Sequence, residues 1–338
     1  MNTLFSPIKL GELEVRNRVV MAPMCVYCAT DGLANDFHIN HYAARALGGV
    51  GLIIIEATGV EDIGRITDNC LGLWRDDQAE ALAKVVQQIK GNGAAAGIQL
   101  GHSGRKCEVT GAEIIAPSAL SFSGDYKNPK EMTKDDINRV IEAFGSAAKR
   151  AKDIGIDFVE IHSAHGYLLS TFLSPLTNTR EDEYGSSSNE NRARFLCEVI
   201  KTVKENFDGA VGVRFSATDF AKGGNKPEDI AKIIDIIKPL GVDIVNISAG
   251  GLVADQKGDY YFGYQIPFAE EIKKATDIKT IAGGLIKTVE QANEIVQNNR
   301  ADMVFIGRAL LREPFWALNA AKALNAEVEY PKPYKVVF

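Results

Sequence analysis

Two imidazoles and a phenol fall within six residues of the sequence, His162-Ser163-Ala164-His165-Gly166-Tyr167. Three readings follow from residues of these types at this spacing. As metal ligands the histidines would need a third and a fourth partner, and no carboxylate or thiolate stands at matched spacing, so no metal is expected. As neutral hydrogen-bond donors they could clamp and polarise one substrate oxygen, with Tyr167 close by as a proton source. As packing or surface groups they would do no chemistry. The tyrosine two residues after the second histidine favours catalysis.

Cys25 and Cys28 form a C-x-x-C. A structural zinc site would need a second pair at matching spacing, which is absent, and a thioredoxin-like dithiol belongs to a smaller fold. Cys25 is read as a site residue and Cys28 as a small loop residue. Cys70, Cys107 and Cys197 carry no readable role. Gly91-x-Gly93-x-x-Ala96 imitates a dinucleotide fingerprint but follows a helix and precedes a strand, the reverse of the required order. Gly307-Arg308 is a better anion site: glycine lets backbone amides approach a phosphate and arginine adds charge. Gly283-Gly284 supplies a second glycine pair nearby in the same scheme.

These residues need a frame. Apolar, β-branched runs recur at Arg18–Pro23, Val50–Thr58, Ala95–Gly101, Phe158–His162, Ala210–Ser216, Val242–Ser248, Thr280–Gly284 and Ala301–Arg308. Each is nearly continuous rather than alternating, the pattern of a strand buried on both faces. Helical stripes lie between them. Ile137, Val140, Ile141, Phe144, Ala147, Ala148 and Ala151 repeat at three- and four-residue spacing, with Thr133 as N-cap and Asp136 three residues on. Phe195, Leu196, Val199, Ile200 and Val203 form a second stripe, and Thr288 with Gln291 predicts a capping box opening a third. Eight buried strands alternating with helices predict an α/β fold, a single (β/α)8 TIM barrel over residues 1–338. Residues 1–17 are expected to form a hairpin closing its bottom, and residues 103–132 an inserted lid after the third strand.

In such a barrel the site lies where strands end. Pro23-Met24-Cys25-Val26-Tyr27-Cys28 follows the first strand, Gln99 and His102-Ser103-Gly104-Arg105-Lys106 the third, and the histidine–tyrosine cluster the fourth. Arg214 lies on the fifth strand and Gly307-Arg308 at the end of the eighth. Polar and aromatic groups therefore converge on one rim.

Composition bounds the partners. The 338 residues carry a net charge of −6, with 46% hydrophobic and 24% charged residues. No basic surplus is available for nucleic acid or an anionic membrane, though one local phosphate pocket is compatible. No signal peptide or membrane span is read, and five cysteines, an odd number, do not suggest a disulfide framework. A reducing cytoplasm is the expected location.

The chain resembles the old yellow enzyme family, specifically its bacterial, thermophilic-like branch with a cysteine after the first strand. The resemblance runs over nearly the whole length through Pro23-Met24-Cys25-Val26-Tyr27, Gly64-Arg65-Ile66-Thr67-Asp68, Gly104-Arg105-Lys106, His162 to Tyr167, Phe172-Leu173-Ser174-Pro175-Leu176, Asp182-Glu183-Tyr184-Gly185, Glu190-Asn191-Arg192 and Phe305-Ile306-Gly307-Arg308. It implies FMN on the barrel mouth, contacted by Ala22, Pro23, Met24, Cys25, Ala57, Gln99, Arg214, Gly283, Gly284, Gly307 and Arg308. Arg214 would face the charge that reduced flavin carries, and Gln99 the polar ring edge. His162 and His165 would hold the substrate oxygen, Tyr27 would line the pocket, and Tyr167 would protonate the α-carbon. The implied activity is reduction of activated alkenes (α,β-unsaturated carbonyls, nitro compounds) with hydride from NADPH or NADH in a ping-pong cycle. Larger relatives add an iron–sulfur cluster and a second nucleotide domain after the barrel; this sequence shows neither before Phe338, so nicotinamide is expected to visit the same flavin. The resemblance leaves homodimer and homotetramer both open.

Three positions depart from the family pattern. Ser186 follows Gly185 where a second glycine is usual, with one extra residue before Glu190; Cys28 replaces a small hydroxyl residue; the tail Tyr334-Lys335-Val336-Val337-Phe338 lacks the usual arginine. Two rival readings are a metal-dependent or cofactor-free barrel lyase using the histidines, and a flavin-binding barrel with a sensor or other non-ene-reductase role.

Overall fold

Strands that are apolar on both faces are buried on both faces and must find hydrogen-bond partners along both edges. The eight runs meet this demand by closing on one another. In the computed structural model, which describes residues 3–338, a hairpin comes first, β1 (Ile8–Leu10) antiparallel to β2 (Leu13–Val15). The predicted N-terminal segment includes residues 1 and 2, which lie outside the described residues. Then come β3 (Val19–Met21), β4 (Leu52–Gly59) and β5 (Ala95–Gly101), a minor parallel pair β6 (Ile115–Ala116) and β7 (Lys130–Glu131), and β8 (Phe158–Ser163), β9 (Ala210–Ser216), β10 (Ile244–Ser248), β11 (Thr280–Ala282) and β12 (Met303–Ile306). All but the hairpin and the minor pair form one closed parallel barrel in the order β10-β11-β12-β3-β4-β5-β8-β9. The TIM barrel expected from the sequence is the fold.

Helices pack outside it: α1 (Asp36–Leu47), α2 (Asp76–Gly91), α3 (Lys134–Asp153), α4 (Leu168–Leu173), α5 (Asn189–Asn206), α6 (Pro227–Ile237), α7 (Ile266–Thr276), α8 (Val289–Gln297), α9 (Arg308–Arg312) and α10 (Trp316–Ala323). In the predicted stripe on α3 every residue is buried except the half-buried Ile141, and Thr133 and Asp136 complete their reciprocal cap. At α8 only half of the expected box forms. Thr288 accepts from the Gln291 amide, but the Gln291 side chain takes the N–H of Lys287 instead (3.3 Å). Ser188, in the loop where the chain departs from the family, caps α5 by accepting from the Asn191 N–H.

Several strands are shorter than their apolar runs. Gly283 and Gly284 lie past the end of β11, where Gly284 turns away at φ +91°, and Arg308 begins α9 instead of ending a strand. Residues 103–132, read as a continuous irregular lid, contain a helical turn at Gly104–Lys106 and the β6–β7 pair. Among the described residues no helix is long and apolar enough to cross a membrane.

Period-two alternation splits the core into two shells. Outward residues such as Val19, Met21, Ile53, Ile55, Val159 and Ile161 pack under the helices. Inward residues such as Val20, Leu52, Ile54, Phe158, Ile244 and Ile281 join Ile8, Leu10 and Val15 of the hairpin, which plugs the lower mouth. Phe158 fills the barrel axis because neighbouring strands present glycine. A Cβ on Gly212 would lie 2.6 Å from the Phe158 ring, and one on Gly97 3.0 Å from it. Gly212→Ala should therefore overpack this layer and cost about 1–3 kcal/mol. A lowered denaturation midpoint is expected; an unchanged one would show that Phe158 has room to move.

Candidate active site

Two residues above the apolar layer, the inward positions turn polar. On β5, β8, β9 and β10 these are Gln99, Glu160, Arg214 and Asn246; the register pairs Gln99 with Glu160 and Arg214 with Asn246, and sets Arg214 opposite His162. Glu160 is fully buried, and its carboxylate accepts from Gln99 Nε2 and Asn246 Nδ2, each at 2.7 Å. Burial raises its pKa, opposed chiefly by the positive charge of Arg214. Arg214 is buried too, and its guanidinium lies 5.3 Å from the Phe305 ring centroid. Glu160 and Asn246 were not singled out from the sequence. A lone carboxylate inside an otherwise apolar strand was the available signal.

Two residues higher again, β8 delivers His162. Its Nδ1 accepts the Ala164 N–H (3.3 Å), which assigns the ring proton to Nε2 and leaves that atom as a donor. His165 follows in a left-handed turn at φ +60°, its Nε2 2.7 Å from Ser248 Oγ at the end of β10. The ring centroids of His165 and Tyr167 lie 5.3 Å and 5.0 Å from that of His162. Both imidazoles have pKa values well below 6.5, because they are buried and next because Arg214 is near. They are neutral at physiological pH. Burial raises the Tyr167 pKa, so its phenol keeps its proton. Among the described residues, no three of His, Cys, Asp and Glu come together as metal ligands.

The turn carrying His165 is clamped from two sides. A Cβ on Gly166 would lie 2.5 Å from the Gly251 carbonyl, and one on Gly251 2.7 Å from the His165 Cα. Lys106 reaches across to donate to the carbonyls of His165 (3.1 Å) and Gly251 (3.2 Å), with its ammonium 5.1 Å from the Tyr167 ring centroid. Lys106 and Arg105 thus tie the segment after β5 to the rim, Arg105 donating to the Leu252 carbonyl.

Cys25 sits in the loop after β3, and that loop hangs on Glu56. A register shift in β4 between Ile55 and Ala57 marks Glu56 as the irregular residue. Its carboxyl takes the Val26 N–H (3.1 Å), while its own N–H donates to the buried Tyr42 hydroxyl (3.0 Å). His38 Nε2 lies 3.7 Å away. Burial pushes the Glu56 pKa up to about 8. Tyr27, two residues beyond Cys25, is 47% exposed at the mouth, and Cys28 bonds the Val26 carbonyl within the loop.

A cavity of about 380 Å³ opens beside these groups, with Met24, Arg214, Ser248, Gln265, Gly307 and Arg308 among its walls. Arg214 Nε and Gln265 Oε1 are buried there without partners, a cost that a bound polar ligand would remove. Gly284, Lys287 and Arg312 also line it, so the basic pocket compatible with the acidic chain has more than one cation. A Cβ on Gly307 would meet only the Met24 sulfur, at 3.5 Å. Packing therefore does not demand glycine there, whereas a ligand lying against the backbone would. Lys287 and Gln265 were missed in the sequence because neither belongs to a motif. Ala22, Pro23 and Ala57 border the same mouth by position: Ala22 follows β3, and Ala57 pairs with Gln99.

A closed parallel barrel with a cation-lined cavity at its upper mouth and neutral histidines beside it fits a cofactor-dependent barrel enzyme. Comparison specifies which. The chain matches the NADH:flavin oxidoreductase / NADH oxidase family over residues 3–327 and belongs to it. It is 51% identical to an NADPH dehydrogenase of Geobacillus thermodenitrificans over 338 aligned positions, covering 99% of this chain and 98% of that one. It is 49% identical to one from Listeria monocytogenes serotype 4b over 336 positions, with the same coverage. Morphinone reductase superposes with a TM-score of 0.84 at 29% identity, over 98% of this chain and 92% of that one. An old yellow enzyme homologue from Zymomonas mobilis gives 0.81 at 28% identity, over 97% and 94%. The chain is thus an NADPH dehydrogenase-type oxidoreductase of old yellow enzyme kind, with FMN as cofactor and a nicotinamide nucleotide as co-substrate.

Glu56 gives a pH signature. Its folded pKa, about 8, stands above its ordinary value of 4.5, so the folded state holds the proton more tightly. Its contribution to stability is full below pH 4.5 and is lost as the pH rises toward 8. Glu56→Gln keeps an acceptor for Val26 and removes this titration. Between pH 5 and pH 8 its denaturation midpoint should fall less than that of the parent protein; parallel curves would show that Glu56 titrates normally.

Proposed function

We propose that this enzyme reduces activated carbon–carbon double bonds, the alkene and the nicotinamide nucleotide using one site in turn. The observation that supports this most is the convergence of two neutral imidazoles and a protonated phenol beside the cavity that suits FMN. Bound FMN supplies the hydride chemistry. Everything else falls to residues of this chain.

Ala22, Pro23, Met24, Cys25, Ala57, Gln99, Arg214, Gly283, Gly284, Gly307 and Arg308 would hold the cofactor. Gln99 gives one Nε2 hydrogen to Glu160, which leaves its second hydrogen and its carbonyl oxygen for the ligand. Arg214 would bring positive charge to the edge where electrons accumulate, and its unpartnered Nε is the atom available for that bond. Arg308 would neutralise the phosphate. His162 donates from Nε2, and His165 can exchange Ser248 for a substrate carbonyl or nitro oxygen; two donors on one oxygen draw electron density from the conjugated double bond. Tyr27 would line the entrance. Tyr167 would deliver a proton to the α-carbon, since its buried phenol keeps that proton until a carbanion develops.

Two experiments test the assignment. Arg308→Ala should weaken FMN affinity by roughly 1.5–3 kcal/mol, the worth of a charged hydrogen bond, read as flavin lost on dialysis. Full retention would place the phosphate elsewhere. Tyr167→Phe should slow alkene-driven reoxidation of the reduced enzyme by roughly 10²-fold or more while reduction by the nicotinamide proceeds nearly unchanged. Equal slowing of both half-reactions in stopped-flow traces would remove the proton-donor role.

A further inference from the structure

Cys70, silent in the sequence, stands against Cys25 in the folded protein. Two segments bring them together. Ala29 N–H bonds the Asn69 carbonyl at 3.0 Å, and Asn69 Nδ2 bonds the Ala29 carbonyl at 3.2 Å, so the loop after β3 and the stretch before Leu71 are pinned side by side. Across this pinned pair the two thiols face one another, each the other's strongest electrostatic neighbour. Their surroundings differ. Cys70 Sγ faces the Thr67 N–H at 3.3 Å and the Thr67 hydroxyl at 3.6 Å, and receives the Cys25 S–H as well. Cys25 has the Ala57 backbone and the Tyr27 side chain beside it, above the buried Glu56. Donors gathered on one sulfur favour a thiolate at Cys70, whose pKa falls to about 6, whereas Cys25 keeps its proton. Access also differs: Cys25 is half-buried at the rim, and Cys70 is 1% exposed.

We propose that Cys25 and Cys70 are a peroxide-sensitive dithiol at the edge of the active site, one that closes to a disulfide when a hydroperoxide reaches it. The Cys70 thiolate attacks one oxygen of hydrogen peroxide; an S–O bond forms, the O–O bond breaks, and hydroxide leaves and is protonated to water. Cys25 then attacks the sulfur of the resulting sulfenic acid. An S–S bond forms, the S–O bond breaks, the Cys25 proton departs with the oxygen, and a second water is released. Two thiols are oxidised by two electrons in all, and the peroxide is reduced to two waters. Since Cys70 lies behind Cys25, the oxidant must be small. A bulky disulfide reagent has no path to it in the folded protein. The Cys25–Cys28 pair is the alternative partner choice, but Cys28 spends its S–H on the Val26 carbonyl and its sulfur has no such ring of donors.

The test uses the FMN-loaded enzyme and hydrogen peroxide at equimolar ratio, followed by alkylation, digestion without reductant and mass spectrometry. A peptide containing Cys25 joined to one containing Cys70 is expected, and free thiols counted after denaturation should fall from five to three. Dithiothreitol should restore both thiols. In the native protein a bulky aromatic disulfide reagent should leave Cys70 unlabelled. Cys70→Ser should abolish the crosslink and keep the circular dichroism and bound flavin of the parent. Should that variant fail to fold, peptide mapping of the parent still decides. A Cys25–Cys28 link, sulfinic acid on Cys25 alone, or five surviving thiols would each overturn the proposal.

Discussion

One buried carboxylate organises the interior of this barrel. Glu160 points into the axis, where an isolated charge would be expensive, and three strands answer it with Gln99, Asn246 and Arg214. The arrangement fixes the amide of Gln99 and sets Arg214 between a carboxyl below and the cavity above. A guanidinium alone at this depth would itself be costly; the charge of the nearby carboxyl offsets part of that cost, and the Arg214 Nε is left without a partner. Phe158 and the apolar residues around it separate the polar groups from the lower mouth, so water and ligands can reach them only from above. The function argued above depends on that polarity of construction.

From this layer the rest of the site follows by steps of two residues. Phe158, Glu160 and His162 rise along β8; Gly97, Gln99 and Gly101 along β5; Gly212, Arg214 and Ser216 along β9. Bottom residues pack, middle residues are polar or charged, and top residues reach the rim. The histidines owe their neutrality to the same geometry, since burial removes the water that would stabilise an imidazolium and Arg214 stands opposite His162 in the register.

Much of this was legible before any coordinates. Nearly continuous apolar runs separated by helical stripes led to the barrel, and the residues just past those runs led to the rim, because both follow from local periodicity. What escaped notice lies where periodicity is broken or where a partner comes from far along the chain. Glu56 is recruited by an irregularity in β4 that no short pattern announces. Gln265 and Lys287 reach the cavity from loops whose path depends on tertiary packing. Gln291 looked like half of a capping box and took the neighbouring N–H instead, a choice made by loop conformation. Cys70 had no motif to belong to, and its meaning depends wholly on the residue that packs against it.

The contact between Gly166 and Gly251 also bears on how such a site can diversify. A side chain on Gly166 would strike the Gly251 backbone, one on Gly251 would strike His165, and Lys106 bonds across the seam. Neither glycine can take a side chain until the opposing loop moves, so a substitution at either one displaces the other segment as well. Variation is left to segments outside the seam, such as the serine-rich stretch before α5, where an added residue costs only a new cap. The turn that carries His165 is thereby fixed by its packing, whereas the serine-rich stretch is free to change length and sequence without disturbing it.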